Sequence, residues 1–154
     1  MVRRLAPLLA LVLGACAPGA AKEAGPGLPT LVSLNPCTDA VLTEVADPQQ
    51  ILAISAYSHD PASSSMDLNT ARKFPAVSGT VEEVLALHPD VVIGTPFMSP
   101  ATTQAFDRLG LRLEQVGIAT TVEDSLAQVR QIAALAGHPD RGEALVDRIE
   151  AALA

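Results

Sequence analysis

The chain has 154 residues, of which 49% are hydrophobic and only 3% are aromatic. This length and composition predict one domain with an aliphatic core. The formal net charge is −7, with 17 acidic residues against 10 basic ones. An acidic domain without a cluster of Lys and Arg is poorly suited to gripping a phosphate backbone, which argues against nucleic acid as a partner.

The first sixteen residues are typical of an export signal. Arg3 and Arg4 precede a short apolar stretch that cannot span a bilayer. The four residues that end at Cys16 resemble a bacterial lipobox, in which the cysteine receives the lipid and becomes the mature N-terminus. Cleavage by an ordinary signal peptidase after Ala17 is the alternative. We predict that residues 1–16 are a lipoprotein signal peptide and that Cys16 is the lipidation site.

The next segment leads into the folded domain. Residues 17–29 are rich in Ala, Gly and Pro and predict a flexible tether, because they carry few bulky apolar side chains. A buried strand is predicted at 31–34. A helix with Thr38 as its N-cap follows and ends before Pro48. A second buried strand is predicted at 51–54.

Helix caps define the middle of the domain. A short helix is predicted around residues 69–73. Thr80 and Glu83 fit a capping box, which begins a helix that ends near His88. A third strand follows at 90–94.

The same alternation continues to the end of the chain. A helix is predicted at 101–109 and a fourth strand at 111–116. Thr120 and Glu123 fit a second capping box, whose helix ends at Gly137. A last amphipathic helix begins near residue 139. Strands that alternate with helices through short loops predict an α/β lobe with a mostly parallel sheet.

In an open parallel sheet, ligands bind at the carboxyl ends of the strands. This rule groups the loops that follow the strands with the turn that begins the capped helix, whereas His88 and His138 fall on the opposite edge. Three side chains in these loops, Tyr57, Phe97 and Met98, either cap the core or form an apolar floor for a large ligand. The predicted ligand-binding residues are Asn35, Pro36, Cys37, Tyr57, Ser58, His59, Ser78, Gly79 and Phe97.

Two residues in these loops also suggest chemistry. Cys37 with His59 as a base is the pair that an exported enzyme would use, provided that the two side chains are within hydrogen-bond reach. Cys37, His59 and Asp60 are candidate ligands for a bare metal ion, but their spacing matches no standard zinc pattern, so no metal site is predicted.

Glu82 and Glu83 have different interpretations. The capping box accounts for Glu83, whereas Glu82 is not needed for the cap. A free carboxylate on the ligand-binding rim could dock onto a cationic partner surface. The alternative is a solvated acid at the start of a helix.

The chain resembles the N-terminal lobe of class III periplasmic binding proteins, which serve cobalamin, ferric siderophores and heme. The stretches that carry this resemblance are 31–36, 54–60 and 79–93. The resemblance implies a Rossmann-like three-layer lobe at 30–137 and the start of a long interlobe helix at 138–154. The second lobe, against which such proteins hold their ligand, is absent from this sequence.

The resemblance also implies a function without catalysis and without a cofactor. The chain is expected to be a substrate-binding lipoprotein of an ABC importer, anchored in the cell envelope and facing the periplasm, with an inner-membrane permease as its partner. Its ligand would be a metal chelate. A lipoprotein that acts only as an interaction module, without transport, is the remaining alternative.

Two residues match family positions with assigned roles. Glu82 falls where the N-terminal lobe has a glutamate that pairs with arginines of the permease. Tyr57 falls where cobalamin-binding members have a tyrosine facing the corrin, which places cobalamin ahead of a ferric siderophore. Val77 and Ser78 depart from the pattern, since cobalamin binders often carry an aromatic residue there.

Overall fold

The computed structural model describes residues 27–154, so the predicted signal peptide, Cys16 and most of the predicted tether lie outside the described residues. No helix within 27–154 has the length and apolar character that crossing a bilayer requires. The strands are β1 (Leu31–Ser33), β2 (Ile51–Ser55), β3 (Ala76–Val77), β4 (Val91–Gly94) and β5 (Leu113–Gln115). The helices are α1 (Pro36–Val45), α2 (Leu68–Ala71), α3 (Val81–Leu87), α4 (Pro100–Arg108), α5 (Val122–Leu135) and α6 (Pro139–Leu153), and a 3₁₀ turn spans Ala56–His59.

The five strands form one parallel sheet in the order β3-β2-β1-β4-β5. The predicted α/β class is therefore confirmed. Four of the strands coincide with predicted ones, and β3 was not predicted. It has only two residues and pairs with the end of β2, which is too short a signal to recognise in a sequence.

Helices cover both faces of the sheet, which explains why its central strands are continuously apolar. Successive strand residues point to opposite faces. Leu31 packs with residues of α1, α5 and α6, whereas Val32 packs on the other side with Val84 of α3 and Phe106 of α4. The predicted three-layer arrangement is confirmed.

The start of α1 differs from the prediction. Asn35, not Thr38, is the N-cap, and its side-chain oxygen accepts a hydrogen bond of 2.9 Å from the amide of Cys37. Pro36 occupies the first helical turn, where its missing N–H costs nothing. Thr38 is buried in that turn, and its hydroxyl donates to the carbonyl of Asn35.

The two capping boxes have different outcomes. Thr80 and Glu83 form the predicted box at α3. At α5 the box consists of Thr121 and Asp124, one residue later than the predicted pair of Thr120 and Glu123. Two adjacent threonines followed by two adjacent acids fit either register, and reciprocal hydrogen bonds between Thr121 and Asp124 show that the later one forms.

The edge of the sheet opposite the carboxyl ends is closed around Gln50. This buried side chain donates to the carbonyls of Pro29 and Ala136, at 3.0 and 2.8 Å. Its oxygen is 2.8 Å from the ring nitrogen of His138, which places that histidine on the edge that the sequence predicts. Because Pro29 contacts this core, the last part of the predicted tether belongs to the folded domain.

Candidate ligand-binding site

The carboxyl ends of the strands surround a cleft of about 310 Å³. Its walls come from the loops that follow β1, β2, β4 and β5. The lining residues are Leu34, Asn35, Pro36, Cys37, Tyr57, Thr95, Phe97, Val116, Gly117 and Ile118. Five predicted ligand-binding residues are thus brought together, namely Asn35, Pro36, Cys37, Tyr57 and Phe97.

Large apolar side chains are exposed at this cleft. Tyr57 is 63% exposed, Phe97 73% and Ile118 72%. They account for three of the six large hydrophobic residues that are exposed within 27–154. Such a concentration of apolar surface on one edge is typical of a binding site, because isolated domains rarely leave it uncovered.

The cleft continues into a second hollow of about 400 Å³. Asn35, Cys37, Gly117 and Ile118 line both spaces, and the second one extends between α1, α5 and α6 to Ile149. The two hollows together form a continuous, largely apolar surface that can accommodate a ligand much larger than an amino acid or a sugar.

Four predicted residues lie on this edge but do not line the cleft. Ser58 is fully buried, and His59 directs its ring nitrogen at the carbonyl of Ala71, at 3.1 Å. The hydroxyl of Ser78 donates to a carboxylate of α3. Gly79 has a φ of 92°, which lets the chain turn into that helix. All four support the local structure rather than the cleft surface.

The structure adds functional candidates that the sequence analysis missed. Thr95, which directly follows β4, and Ile118, in the loop after β5, also line the cleft, and their positions after strands were the available signal. Asp39 is fully buried beneath the cleft, where its Oδ2 accepts hydrogen bonds from the Ser55 amide and the Ser58 hydroxyl. A carboxylate three residues before the buried Leu42, on the apolar face of α1, was its signal.

The geometry does not support the enzyme hypothesis. Cys37 is exposed, and its Sγ contacts the hydroxyl of Ser65 at 3.7 Å, while the His59 ring is engaged with Ala71. No hydrogen bond joins Cys37 to His59. Within the described part of the chain no three His, Cys, Asp or Glu residues converge to hold a metal ion, and Asp60 bonds to Ser63 of its own turn.

The two glutamates at the start of α3 have different environments, as the sequence suggests. The carboxylate of Glu83 accepts hydrogen bonds from Ser78 and Thr80, and these bonds lower its pKa. Glu82 is exposed, and no residue of the described chain forms a hydrogen bond or an ion pair with it. Its carboxylate is therefore available to a partner on the same edge as the cleft.

A larger hollow of about 550 Å³ lies elsewhere, on the flank of β5 and α4. It is an open groove, and its lining mixes polar side chains such as Asp107 and Arg112 with the apolar side chains of Leu111 and Leu113. The smaller cleft is the stronger candidate for a ligand site, because it combines exposed aromatic side chains with the strand ends where parallel sheets bind ligands.

Solved structures with a similar fold are binding proteins. The periplasmic heme-binding protein RhuT from Roseiflexus sp. RS-1 shares 22% identity at a TM-score of 0.62, over 81% of this chain and 47% of that one. The vitamin B12-binding protein BtuF of Vibrio cholerae shares 20% identity at a TM-score of 0.60, over 82% and 48%. A periplasmic heme-binding protein from Pseudomonas aeruginosa shares 21% identity at a TM-score of 0.60, over 80% of this chain and 44% of that one.

These relationships extend to the family level. The chain spans less than half the length of each of those three proteins. A comparison with curated protein sequences gave no match. Residues 31–154 match the model of a family described as periplasmic binding protein. That match covers nearly all the described residues, and the similar structures include heme- and vitamin B12-binding proteins. The chain therefore belongs to the periplasmic binding protein family.

Proposed function

We propose that the chain is the N-terminal binding lobe of an ABC importer's substrate-binding protein and that it binds a metal chelate. The observation that carries this proposal is the cleft edged by Tyr57, Phe97 and Ile118, all more than half exposed. Flat apolar groups on a concave edge suit the face of a corrin or a porphyrin. Cobalamin is our first candidate, heme the second and a ferric siderophore the third.

The energetics of the cleft agree with a ligand of this kind. Covering one exposed large apolar side chain stabilises a complex by about 1.5–3 kcal/mol when burial is complete. Three such side chains could supply much of the free energy of a micromolar complex, which is about 8 kcal/mol. Asn35 contributes little polar recognition through its side-chain oxygen, because that oxygen already caps α1.

We further propose that Glu82 docks the loaded lobe onto the permease. Its carboxylate is exposed, lies at the start of α3 on the same edge of the sheet as the cleft, and has no partner among the described residues. An arginine-bearing surface would bind it through charge-assisted hydrogen bonds. The family suggests a periplasmic location for this encounter, and the lipobox suggests that Cys16 anchors the protein. The intact mass of the protein extracted from membranes would test whether Cys16 carries a lipid.

Ligand binding is tested by equilibrium dialysis of the chain against cyanocobalamin, hemin and ferric desferrioxamine. We expect cyanocobalamin to be retained at micromolar concentration and the competing chelates to be retained less. A folded chain that retains none of the three would contradict the proposal. Retention of hemin alone would support the proposed binding function but would make heme, rather than cobalamin, the ligand.

Docking is tested separately by uptake of the retained chelate into cells that carry the protein and its permease. Glu82→Ala should reduce uptake and leave chelate retention unchanged. Glu123→Ala is a matched control, because Glu123 occupies the same position after a Thr cap at the start of α5 and is also exposed. If Glu82→Ala leaves uptake unchanged, the docking role is wrong and a module without transport is favoured.

A further inference from the structure

The carboxyl group of Asp39 lies beneath the 3₁₀ turn Ala56–His59, and the proposed function does not use it. Its Oδ2 accepts hydrogen bonds from the amide of Ser55, at 3.0 Å, and from the hydroxyl of Ser58, at 2.6 Å. These two donors flank Tyr57 in the sequence. One buried carboxylate therefore holds the turn on both sides of the tyrosine.

The orientation of Tyr57 depends on this backbone rather than on its own ring. The side chain is 63% exposed, so packing gives it little support. Its amide donates to the hydroxyl of Ser55, at 3.3 Å, and the amide of Ser55 is in turn held by Asp39. The hydrogen bonds thus run from the buried acid to the residue that faces the cleft.

We propose that Asp39 is a positioning residue whose negative charge holds the turn Ala56–His59 so that Tyr57 is presented to the ligand. Neutralising Asp39 loosens the turn and weakens ligand binding. The effect on binding rests on the proposed function, whereas the effect on the turn does not. The site would then release its ligand more readily in acid.

The surroundings of Asp39 make this neutralisation accessible. Burial raises its pKa to about 6, against the opposing effects of the Ser33 and Ser58 hydroxyls, the Ser55 amide and the charge of His59. No charged group on α5 or α6, which also pack on α1, acts on it within the described residues. Its Oδ1 has no hydrogen-bond partner there and can take a proton without breaking a bond. A neutral carboxyl group then accepts weaker hydrogen bonds.

The turn can be followed without a ligand. Tyr57 is the only tyrosine of the chain, which has no tryptophan, so tyrosine fluorescence anisotropy reports this turn alone. We expect the anisotropy of the original chain to fall as the pH is lowered through about 6. The Asp39→Asn variant should have the low anisotropy at every pH. The His59→Gln variant should still show the fall in anisotropy near pH 6. If the fall disappears in His59→Gln and persists in Asp39→Asn, the His59 imidazole is responsible and the proposal is overturned.

Asp90→Asn is the matched control. Asp90 also accepts one amide and one hydroxyl hydrogen bond, both from Thr30, but on the opposite edge of the sheet. The Asp90→Asn substitution should leave the anisotropy of Tyr57 unchanged. If Asp39→Asn fails to fold, Ser58→Ala removes one donor and leaves the carboxylate, and it should also lower the anisotropy at neutral pH. Unchanged anisotropy in whichever Asp39 or Ser58 variant folds would overturn the proposal.

Binding supplies the second measurement. With cyanocobalamin as the probe, Asp39→Asn should lower affinity about tenfold above pH 6, the effect of losing a charge-assisted hydrogen bond. Its affinity should no longer depend on pH in this range. A chain that binds no cyanocobalamin, hemin or ferric desferrioxamine contradicts the proposed function, but the anisotropy still decides the role of Asp39. Unaltered affinity in Asp39→Asn would overturn the link to binding.

Discussion

The carboxylate of Glu83 accepts hydrogen bonds from the amide and the hydroxyl of Ser78, at 2.9 and 2.6 Å, and so closes the turn before α3. Glu82 lies one residue earlier and is bound by nothing within residues 27–154. Two adjacent glutamates of similar exposure therefore have separate roles, one in the fold and one on its surface.

We expect Glu83→Ala to lower the midpoint of urea unfolding and Glu82→Ala to leave it unchanged. The hydrogen bonds of Glu83 lower its pKa, so its contribution to stability is present above the unfolded value of 4.5 and is lost as the pH falls through the lower folded value. Urea unfolding at neutral and acidic pH measures both effects. Equal midpoints for the two variants would contradict this division.

Asp39 should give the opposite dependence of stability on pH. Its pKa is raised from 3.8 to about 6 in the folded protein, so between these values the folded state binds more protons than the unfolded one. The free energy of unfolding therefore falls as the pH rises from about 4 to 6, by about 3 kcal/mol for this difference in pKa. Protonation thus stabilises the whole fold, because an uncharged group is easier to bury, even though it weakens the two hydrogen bonds that hold the turn Ala56–His59. Asp39→Asn should remove the fall and Asp90→Asn should retain it, as measured by denaturant unfolding across the range.

The contact between α5 and α6 should tolerate no added methyl group. A Cβ at Gly142 would lie 2.6 Å from the Cβ of Ala133, and both residues are buried. Gly142→Ala gains about 1 kcal/mol of helix propensity but forces the helices apart, for which overpacking costs about 1–3 kcal/mol. We expect a net loss in urea unfolding, whereas Ala144→Val on the exposed face of α6 should change little. A more stable Gly142→Ala would show that the helices separate freely.

The aromatic side chains of the cleft should dominate ligand affinity. Tyr57→Ala and Phe97→Ala each remove a large exposed side chain, and we expect each to weaken retention of the bound chelate about tenfold or more. Leu109→Ala is the control, since Leu109 is 47% exposed but lies outside the cleft lining. Equal effects of all three substitutions in equilibrium dialysis would indicate adhesion to apolar surface rather than a site.

Cys37 offers a direct report of cleft occupancy. Its thiol is exposed and lines both hollows. We expect maleimide to label it readily in the free chain and a saturating chelate to slow the reaction, because the ligand covers the sulfur. Mass spectrometry of the peptide that contains Cys37 measures the rate. An unchanged rate at saturation would place the ligand elsewhere.

Much of the fold was accessible from sequence because local signals agreed with the overall pattern. The capping box of Thr80 and Glu83, and the apolar strands between turns, have one consistent interpretation. The start of α1 was wrongly predicted, since Asn35 and Thr38 are both good caps, and only Pro36, which suits the first helical turn, favours Asn35. Strand β3 could not be found, because Ala76 and Val77 become a strand only through pairing with β2.

The candidate site was predicted as a location more successfully than as a set of contacts. The rule that ligands bind at the carboxyl ends of parallel strands correctly predicted that Tyr57 and Phe97 lie on one edge of the sheet. It does not tell which side chains point outward. Ser58 follows Tyr57 directly and is fully buried, because its hydroxyl donates to a carboxyl group of α1. That partner, Asp39, comes from a different element, so only the packed structure identifies the pair.

The central place of β1 in the sheet has a consequence for how the domain folds. This strand precedes the others in the described chain, yet Leu31 lies opposite Val91 of β4, with β2, β3 and three helices between them in sequence. Pairing of such distant segments must offset a large loss of chain entropy, which makes folding slow. During synthesis, the three buried residues of β1 therefore lack one of their two neighbouring strands until β4 has emerged. The nascent chain is most prone to associate with other chains during that interval.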